Sequence, residues 1–112
     1  MGTFAVRQVV VLPFPFSDLS AQKLRPALLL ANVDNSDWLL CQITSKSYAD
    51  DNAIELQQDS FESGSLSRIS YARSGKLFTA NESLFRKTMG KVKQQTHQVV
   101  VTEIMRLLNE SN

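Results

Sequence analysis

An arginine and two neighbouring hydroxyl residues are the side chains in this sequence best suited to bind phosphate. Arg25 stands directly before Pro26, and Thr44 and Ser45 end the segment that begins at Cys41. A guanidinium is planar, permanently charged and able to donate two parallel hydrogen bonds, which suits the geometry of a phosphate. A hydroxyl can donate one more hydrogen bond to a phosphate oxygen. These residues therefore predict a phosphate site, provided that the fold brings them together.

The same residues also have ordinary structural roles. Arg25 could form a structural ion pair with Asp18 or Asp37. Thr44 and Ser45 could form a turn in which a hydroxyl bonds to the nearby backbone. Residue type alone favours these structural roles, so the wider context of the sequence has to decide.

Two further features bear on nucleic acid binding. Phe14 and Phe16 alternate with prolines, and they could either stack on unpaired bases or close one end of the core. The whole chain has a net charge of +1, but residues 68–93 carry +6 and the remainder carries −5. A polyanion could bind such a basic stretch, or its charges could scatter over a solvated surface.

Length and composition exclude several classes of protein. The 112 residues, 43% of them hydrophobic, predict one folded domain over residues 1–112. Cys41 and His97 are the single cysteine and histidine, so we expect no disulfide and no metal site or cofactor. We also expect His97 to lie on the surface. The longest apolar runs, such as residues 9–16, are too short to span a membrane. We expect a cytoplasmic protein, because the start of the chain does not resemble a signal peptide.

Two neighbouring strands are expected to position the candidate site. Residues 27–31 and 38–44 are apolar, and the turn-rich segment 32–37 separates them, which predicts a hairpin at the centre of an antiparallel sheet. Arg25 would then stand between a long exposed loop, residues 13–24, and the first of these strands. Thr44 and Ser45 would end the second strand, near Arg25.

The rest of the chain predicts a β-rich domain with one terminal helix. We expect further strands at residues 7–12, 53–56, 67–73 and 76–79, with Gly75 as a break and residues 61–66 as a turn. Apolar residues at helical spacing, Val100, Ile104, Leu107 and Leu108, predict a C-terminal helix. Five or six short strands with such a helix are typical of a small barrel or a strongly curved sheet.

Four segments, taken in order, resemble one known family. The sequence is similar to MazF/PemK-type toxins from about residue 8 to residue 108, and the similarity is carried by VVLPFPFSDLS (10–20), KLRPALLL (23–30), CQITS (41–45) and SYARSGKLFT (70–79). Related toxins usually open the first strand with Gly-Asp, whereas this chain has Arg7 and Gln8. Some relatives carry a functional glutamate at the position of Ser20.

The resemblance implies a fold, an activity and two partners. The fold would be an SH3-like β-barrel of the CcdB/PemK/MazF type with a C-terminal α-helix, working as a homodimer. The activity would be that of an mRNA interferase, a metal-independent endoribonuclease that cleaves single-stranded RNA without the ribosome. A co-encoded antitoxin would neutralise it. The same barrel also occurs in CcdB-like toxins that bind gyrase without catalysis, and a catalytically inactive RNA- or protein-binding barrel is a third possibility.

The resemblance also assigns roles to residues. Arg25 and Thr44 match the catalytic positions of the family. RNA cleavage without a metal uses the 2′-hydroxyl of the substrate as nucleophile, so a base must accept its proton, and Asp18 is the nearest candidate. We assign RNA binding to six residues: Phe14, Phe16, Lys23, Ser45, Arg73 and Lys76.

Overall fold

Seven strands and one long helix make up the described part of the fold. The computed structural model describes residues 3–14, 23–46 and 51–110. Two short 3-10 turns among these residues, Gln58–Ser60 and Glu82–Leu84, connect strands. The elements in chain order are β1 (Gln8–Phe14), β2 (Lys23–Asp34), β3 (Asp37–Thr44), β4 (Ala53–Leu56), β5 (Phe61–Gly64), β6 (Ser70–Asn81), β7 (Lys87–Val92) and α1 (Gln94–Glu110).

All neighbouring strands of the sheet run antiparallel. The strand order is β4-β6-β3-β2-β1-β7-β5, so β2 is the central strand and the hairpin partner β3 lies beside it. The prediction of a mainly β fold with a C-terminal helix is confirmed. The described strands form an open sheet with edges at β4 and β5 rather than a closed barrel.

Strands β1 and β2 extend further than the sequence predicts. The predicted loop 13–24 is too long at both ends, because Pro13 pairs with Leu24 and Phe14 pairs with Lys23 within the sheet. Proline is tolerated there because the pairing of β1 with β7 covers only Gln8 to Val11, so no β7 residue pairs with Pro13. Arg25 consequently lies inside β2 rather than at the end of a loop.

Three other boundaries differ from the prediction. The expected turn at 61–66 contains strand β5. Strand β7 is not predicted from the sequence, because its two lysines and its glycine lower the β-propensity of the segment. Gly75 does not break β6, which runs through residues 70–81. Instead the β3–β6 register shifts, so that Cys41 faces Leu77 while Ile43 faces Ala72, and the additional residues of β6 bulge between them.

The sheet buries apolar side chains on both faces. Leu28 and Leu30 of β2 belong to one cluster, on which Val100 and Ile104 of α1 pack. Ala27 and Leu29 belong to the other cluster, together with side chains of β1 and β3, among them Trp38 of β3. Leu108 was expected on the buried face of α1, but it is 68% exposed. None of the described helices has the length and hydropathy needed to span a membrane.

The start of α1 packs against the start of β1. His97 is half-buried, not on the surface as expected, and its Nδ1 atom has no hydrogen-bond partner among the described residues. Nearby, the Arg7 guanidinium donates to Glu62 at 3.2 Å. Arg7 has a φ of 79°, in the left-handed region that favours glycine.

Protonation of His97 should destabilise the fold. Burial, and secondarily the charge of Arg7, lower the pKa of His97 from its ordinary value of 6.5. The unfolded chain therefore binds the proton more readily, and the free energy of unfolding falls as the pH drops below 6.5. We expect chemical denaturation at pH 8 and pH 5.5 to show a larger loss for wild type than for His97→Gln. Equal losses in the two proteins would contradict this role of His97.

Candidate active site

The pairing of β2 with β3 brings Arg25 and Thr44 together. Leu28 faces Cys41 and Ala27 faces Gln42, and the same register continued by two residues places Arg25 opposite Thr44. Alternation along both strands then puts these two side chains on one face of the sheet. The described ladder between β2 and β3 ends at Ala27, beside Pro26, which has no amide hydrogen to donate. Beyond that point the surface opens into a cleft.

This cleft, which we call the Arg25 cleft, has a volume of about 250 Å³. That is slightly below the ~300–1,000 Å³ typical of small-molecule pockets, and it suits a site that holds one segment of a longer chain. Arg25 and Thr44 are half-buried, whereas Ser45 and Arg68 are exposed. The remaining walls are mostly apolar and include Val11, Leu24, Pro26, Ile43, Leu66 and Met89.

The hydroxyl of Thr44 is oriented by the backbone. The amide of Lys46 donates a hydrogen bond to Thr44 Oγ1 over 3.2 Å, which is the turn geometry expected of a strand-ending threonine. Because the oxygen accepts that bond, the hydroxyl hydrogen remains available to a ligand in the cleft. The structural role and the phosphate-binding role of Thr44 are therefore compatible.

Asp37 is not the partner of Arg25. Asp37 faces Asp34 at the opposite end of the β2–β3 hairpin, and its Oδ1 accepts a hydrogen bond from Asn81 at 2.9 Å. No described residue forms an ion pair or hydrogen bond with the Arg25 side chain. Asp18, the other expected partner and the candidate base, lies outside the described residues.

Arg68 also lines the Arg25 cleft, and its sequence context does not predict this position. It lies in the connection between β5 and β6, and its carbonyl accepts a hydrogen bond from the buried Ser70 hydroxyl at 3.1 Å. The signal in the sequence was the basic stretch, which contains Arg68 but does not say where its charges lie. The structure adds a second guanidinium to the lining of the Arg25 cleft.

Two predicted RNA-binding residues contribute to a separate cleft. Phe14 is only 5% exposed and packs edge-on against Phe78, with ring centroids 5.0 Å apart, so its position favours the core interpretation. Lys76 is exposed, and together with Phe14 and Gln42 it lines a cleft of about 220 Å³. Gln42 and Thr44 are two residues apart in β3, which separates them by ~7 Å. Lys76 is thus near the Arg25 cleft without lining it.

Among the other predicted RNA-binding residues that the structure describes, Ser45 lines the Arg25 cleft, whereas Lys23 and Arg73 do not. Lys23 is exposed at the start of β2, next to Leu24 in the cleft wall. Arg73 is half-buried in β6 and faces Ala53 of β4. Phe16 lies outside the described residues.

The single cysteine is not suited to nucleophilic chemistry. Burial raises the pKa of the Cys41 thiol to about 12, although a backbone hydrogen bond to Leu28 opposes the shift. Cys41 therefore stays protonated at neutral pH and packs in the core. Within residues 3–14, 23–46 and 51–110, no group of three or more histidine, cysteine or acidic residues could hold a metal ion.

Comparison with known proteins identifies the family. Residues 6–108 match the family described as the PemK-like, MazF-like toxin of type II toxin–antitoxin systems. No curated protein matches the sequence.

Solved structures share the fold at low sequence identity. The chain is similar to an endoribonuclease in complex with its cognate antitoxin from a mycobacterial species (TM-score 0.75, 14% identity, covering 98% of this chain and 99% of that one). It is also similar to the Mycobacterium tuberculosis toxin MazF-mt6 (TM-score 0.72, 12% identity, covering 95% of this chain and 100% of that one). A chain of the MazE–MazF crystal structure from Deinococcus radiodurans matches with a TM-score of 0.75 at 18% identity, and the match covers 99% of this chain and 100% of that one. With the family match over residues 6–108, the chain belongs to the PemK-like, MazF-like toxins of type II toxin–antitoxin systems.

Proposed function

We propose that this toxin is a metal-independent endoribonuclease that cleaves single-stranded RNA. The observation that carries the proposal is the convergence of Arg25 and Thr44 on one cleft, with Ser45 and Arg68 beside them. Such an arrangement places fixed positive charge and a hydroxyl donor where a phosphate group can enter. Two structurally similar proteins are a mycobacterial endoribonuclease and the toxin MazF-mt6, which agrees with this chemistry.

In the proposed mechanism the substrate supplies its own nucleophile. The 2′-hydroxyl oxygen attacks the adjacent phosphorus, and the bond from phosphorus to the 5′-oxygen breaks. The products are a 2′,3′-cyclic phosphate and a 5′-hydroxyl. Negative charge builds up on the non-bridging oxygens in the transition state, where Arg25 donates to one oxygen and Thr44 holds another.

Proton transfer requires a group other than Arg25. A guanidinium stays protonated at neutral pH and cannot accept the proton of the 2′-hydroxyl. His97 lies at the start of α1 and does not line the Arg25 cleft. Asp18 is the proposed base, because its carboxylate is the nearest in sequence to Arg25. The leaving 5′-oxygen must gain a proton as the bond breaks.

The same proposal includes partners and location. We infer that a cognate antitoxin binds and neutralises the protein. The similar mycobacterial endoribonuclease forms a complex with its cognate antitoxin, which supports this inference. An acidic, partly disordered segment of that partner would complement the basic stretch of the toxin. The toxin would work as a homodimer in the cytoplasm, on single-stranded RNA and without a cofactor.

Cleavage in the presence of a chelator tests the proposal. Purified protein incubated with single-stranded RNA and EDTA should cut the RNA into defined fragments, and added Mg²⁺ should not increase the rate beyond its effect on RNA structure. Activity that disappears in EDTA and returns with a metal would contradict metal independence. RNA binding without any cleavage, with or without metal, would instead support an inactive binding barrel.

Thr44→Val should reduce cleavage about 10- to 150-fold, because a hydrogen bond to a charged group contributes ~1.5–3 kcal/mol. Valine keeps the shape of the side chain but removes the hydroxyl, and Thr44→Ser should restore most of the activity. Single-turnover rates measure the effect, and Thr79→Val, on an exposed β6 position outside the Arg25 cleft, is the matched control. Unchanged cleavage by Thr44→Val would remove Thr44 from the proposed mechanism.

A further inference from the structure

A second cleft continues directly from the Arg25 cleft. It has a volume of about 220 Å³, and Leu66, Ser67 and Arg68 line both clefts. Its other walls come from the end of β4, the following 3-10 turn, the start of β5 and the residue before β6: Leu56, Gln57, Gln58, Phe61 and Ile69. We call it the Gln58 cleft. Arg68 therefore stands on the border between two adjoining clefts.

The floor of the Gln58 cleft is fixed by the protein core. Leu56 and Phe61 are buried members of the main apolar cluster, and Leu66 packs against that cluster. The buried Ser70 hydroxyl holds the carbonyl of Arg68 at the border. These contacts fix the cleft before any ligand arrives, and preorganised walls lower the cost of binding.

The exposed walls of the Gln58 cleft suit a flat, partly polar ring. Ile69 is 50% exposed, so its aliphatic side chain is accessible to a ring that enters the cleft. The Gln58 side chain is exposed and has no hydrogen bond within the described part of the chain, whereas the amide of Gln57 is held by the carboxylate of Glu55. A free carboxamide offers donors and an acceptor side by side, which match the edge of a nucleobase.

We propose that the Gln58 cleft binds the base of the nucleotide next to the cleaved phosphate and that Gln58 reads its edge. Arg68 holds a phosphate of the same strand where the two clefts meet, and Ile69 covers one face of the base. The inference rests on the proposed RNA cleavage and adds to it a site for sequence selection. In this assignment Arg25 and Thr44 act on the cut, while Gln58 and Ile69 determine where the cut falls.

Sequencing the cut sites of a randomised RNA tests the base-reading role. Wild-type protein should show a base preference at a position adjoining the cut, and Gln58→Ala should weaken that preference about tenfold or more while cleavage continues. Ile69→Ala should also weaken the base preference. Gln98→Ala, an exposed α1 variant that lines neither cleft, should keep the wild-type preference.

The kinetics of Arg68→Ala test the phosphate contact at the border. Loss of a contact made equally in ground and transition states should raise KM about tenfold with little change in kcat, and Arg68→Lys should recover part of the loss. Lys93→Ala, which removes one exposed charge outside both clefts, should leave KM near that of wild type.

The outcomes separate the two proposals. If wild type cuts RNA and Gln58→Ala and Ile69→Ala both keep its base preference, the Gln58 cleft is not a base site, although the nuclease proposal stands. If Arg68→Ala keeps the wild-type KM, the border contact is wrong. If wild type cuts no RNA, the nuclease proposal fails, and base selection fails with it.

Discussion

Arg25→Ala should lower the rate of RNA cleavage by about 10²–10³-fold, the range seen when one preorganised donor to a developing oxyanion is removed. Arg25 is half-buried in the cleft wall, where water screens its charge less than on an open surface. The register of β2 with β3, continued two residues beyond the last described pair, places Arg25 opposite Thr44, and both residues line one cleft. Truncation removes the positive charge without filling the cleft.

The fold should tolerate this substitution. The Arg25 side chain has no ion pair with any described residue, so its removal leaves no described charge without a partner. Circular dichroism and thermal unfolding should therefore match wild type, while single-turnover cleavage in EDTA falls. Arg25→Lys keeps the charge but loses the planar guanidinium, so its cleavage rate should lie between those of wild type and Arg25→Ala. A folded Arg25→Ala protein that cuts at the wild-type rate would show that Arg25 has no part in catalysis.

Gly64→Ala should destabilise the protein by about 2–5 kcal/mol. Gly64 has a φ of +67°, a conformation that costs an alanine ~1–2 kcal/mol, and crowding against the backbone of β7 adds ~1–3 kcal/mol. The added Cβ would meet the Met89 carbonyl oxygen, and it would lie 2.6 Å from the Cα of Gly90. Both are backbone atoms, so β5 and β7 must separate. A total stability of ~5–15 kcal/mol makes this loss severe.

Gly75→Ala is the matched control. Its Cβ would lie 4.0 Å from Leu107 Cδ1, an ordinary contact, so we expect a change within ~0.5 kcal/mol. Urea unfolding of both variants measures the difference. Because Met89 also lines the Arg25 cleft, Gly64→Ala should impair cleavage as well as stability. Equal midpoints for Gly64→Ala and wild type would mean that β5 does not approach β7 as closely as described.

The central hairpin could be predicted from local sequence signals. Residues 27–31 and 38–44 are apolar strands joined by a turn-rich segment, and β2 and β3 pair as expected. That register, together with strand alternation, accounts for the approach of Arg25 to Thr44. The helix could be predicted from the spacing of Val100 and Ile104 for the same reason, because its signal is also local.

The remaining parts depend on contacts between distant segments. β7 has weak strand propensity and forms because β1 and β5 pair with it on either side. Arg68 reaches the cleft through the β5–β6 connection, and no local pattern indicates where that connection will lie. Gly64 predicts a turn over residues 61–66 without a strand. In the structure, its left-handed conformation lies at the last residue of strand β5. Sequence patterns therefore predicted the hairpin that carries Arg25 and Thr44 better than the cleft around it.

The chemistry of the cut ends tests the central claim most directly. A defined RNA should be cleaved in EDTA by wild-type protein, and a second RNA should carry a single 2′-deoxy nucleotide on the 5′ side of the same cut. We predict a 2′,3′-cyclic phosphate and a 5′-hydroxyl from the first RNA, and no cleavage at that position in the second. A 5′-phosphate end, or cleavage of the deoxy-substituted position at the wild-type rate, would contradict attack by the 2′-hydroxyl at the Arg25 cleft.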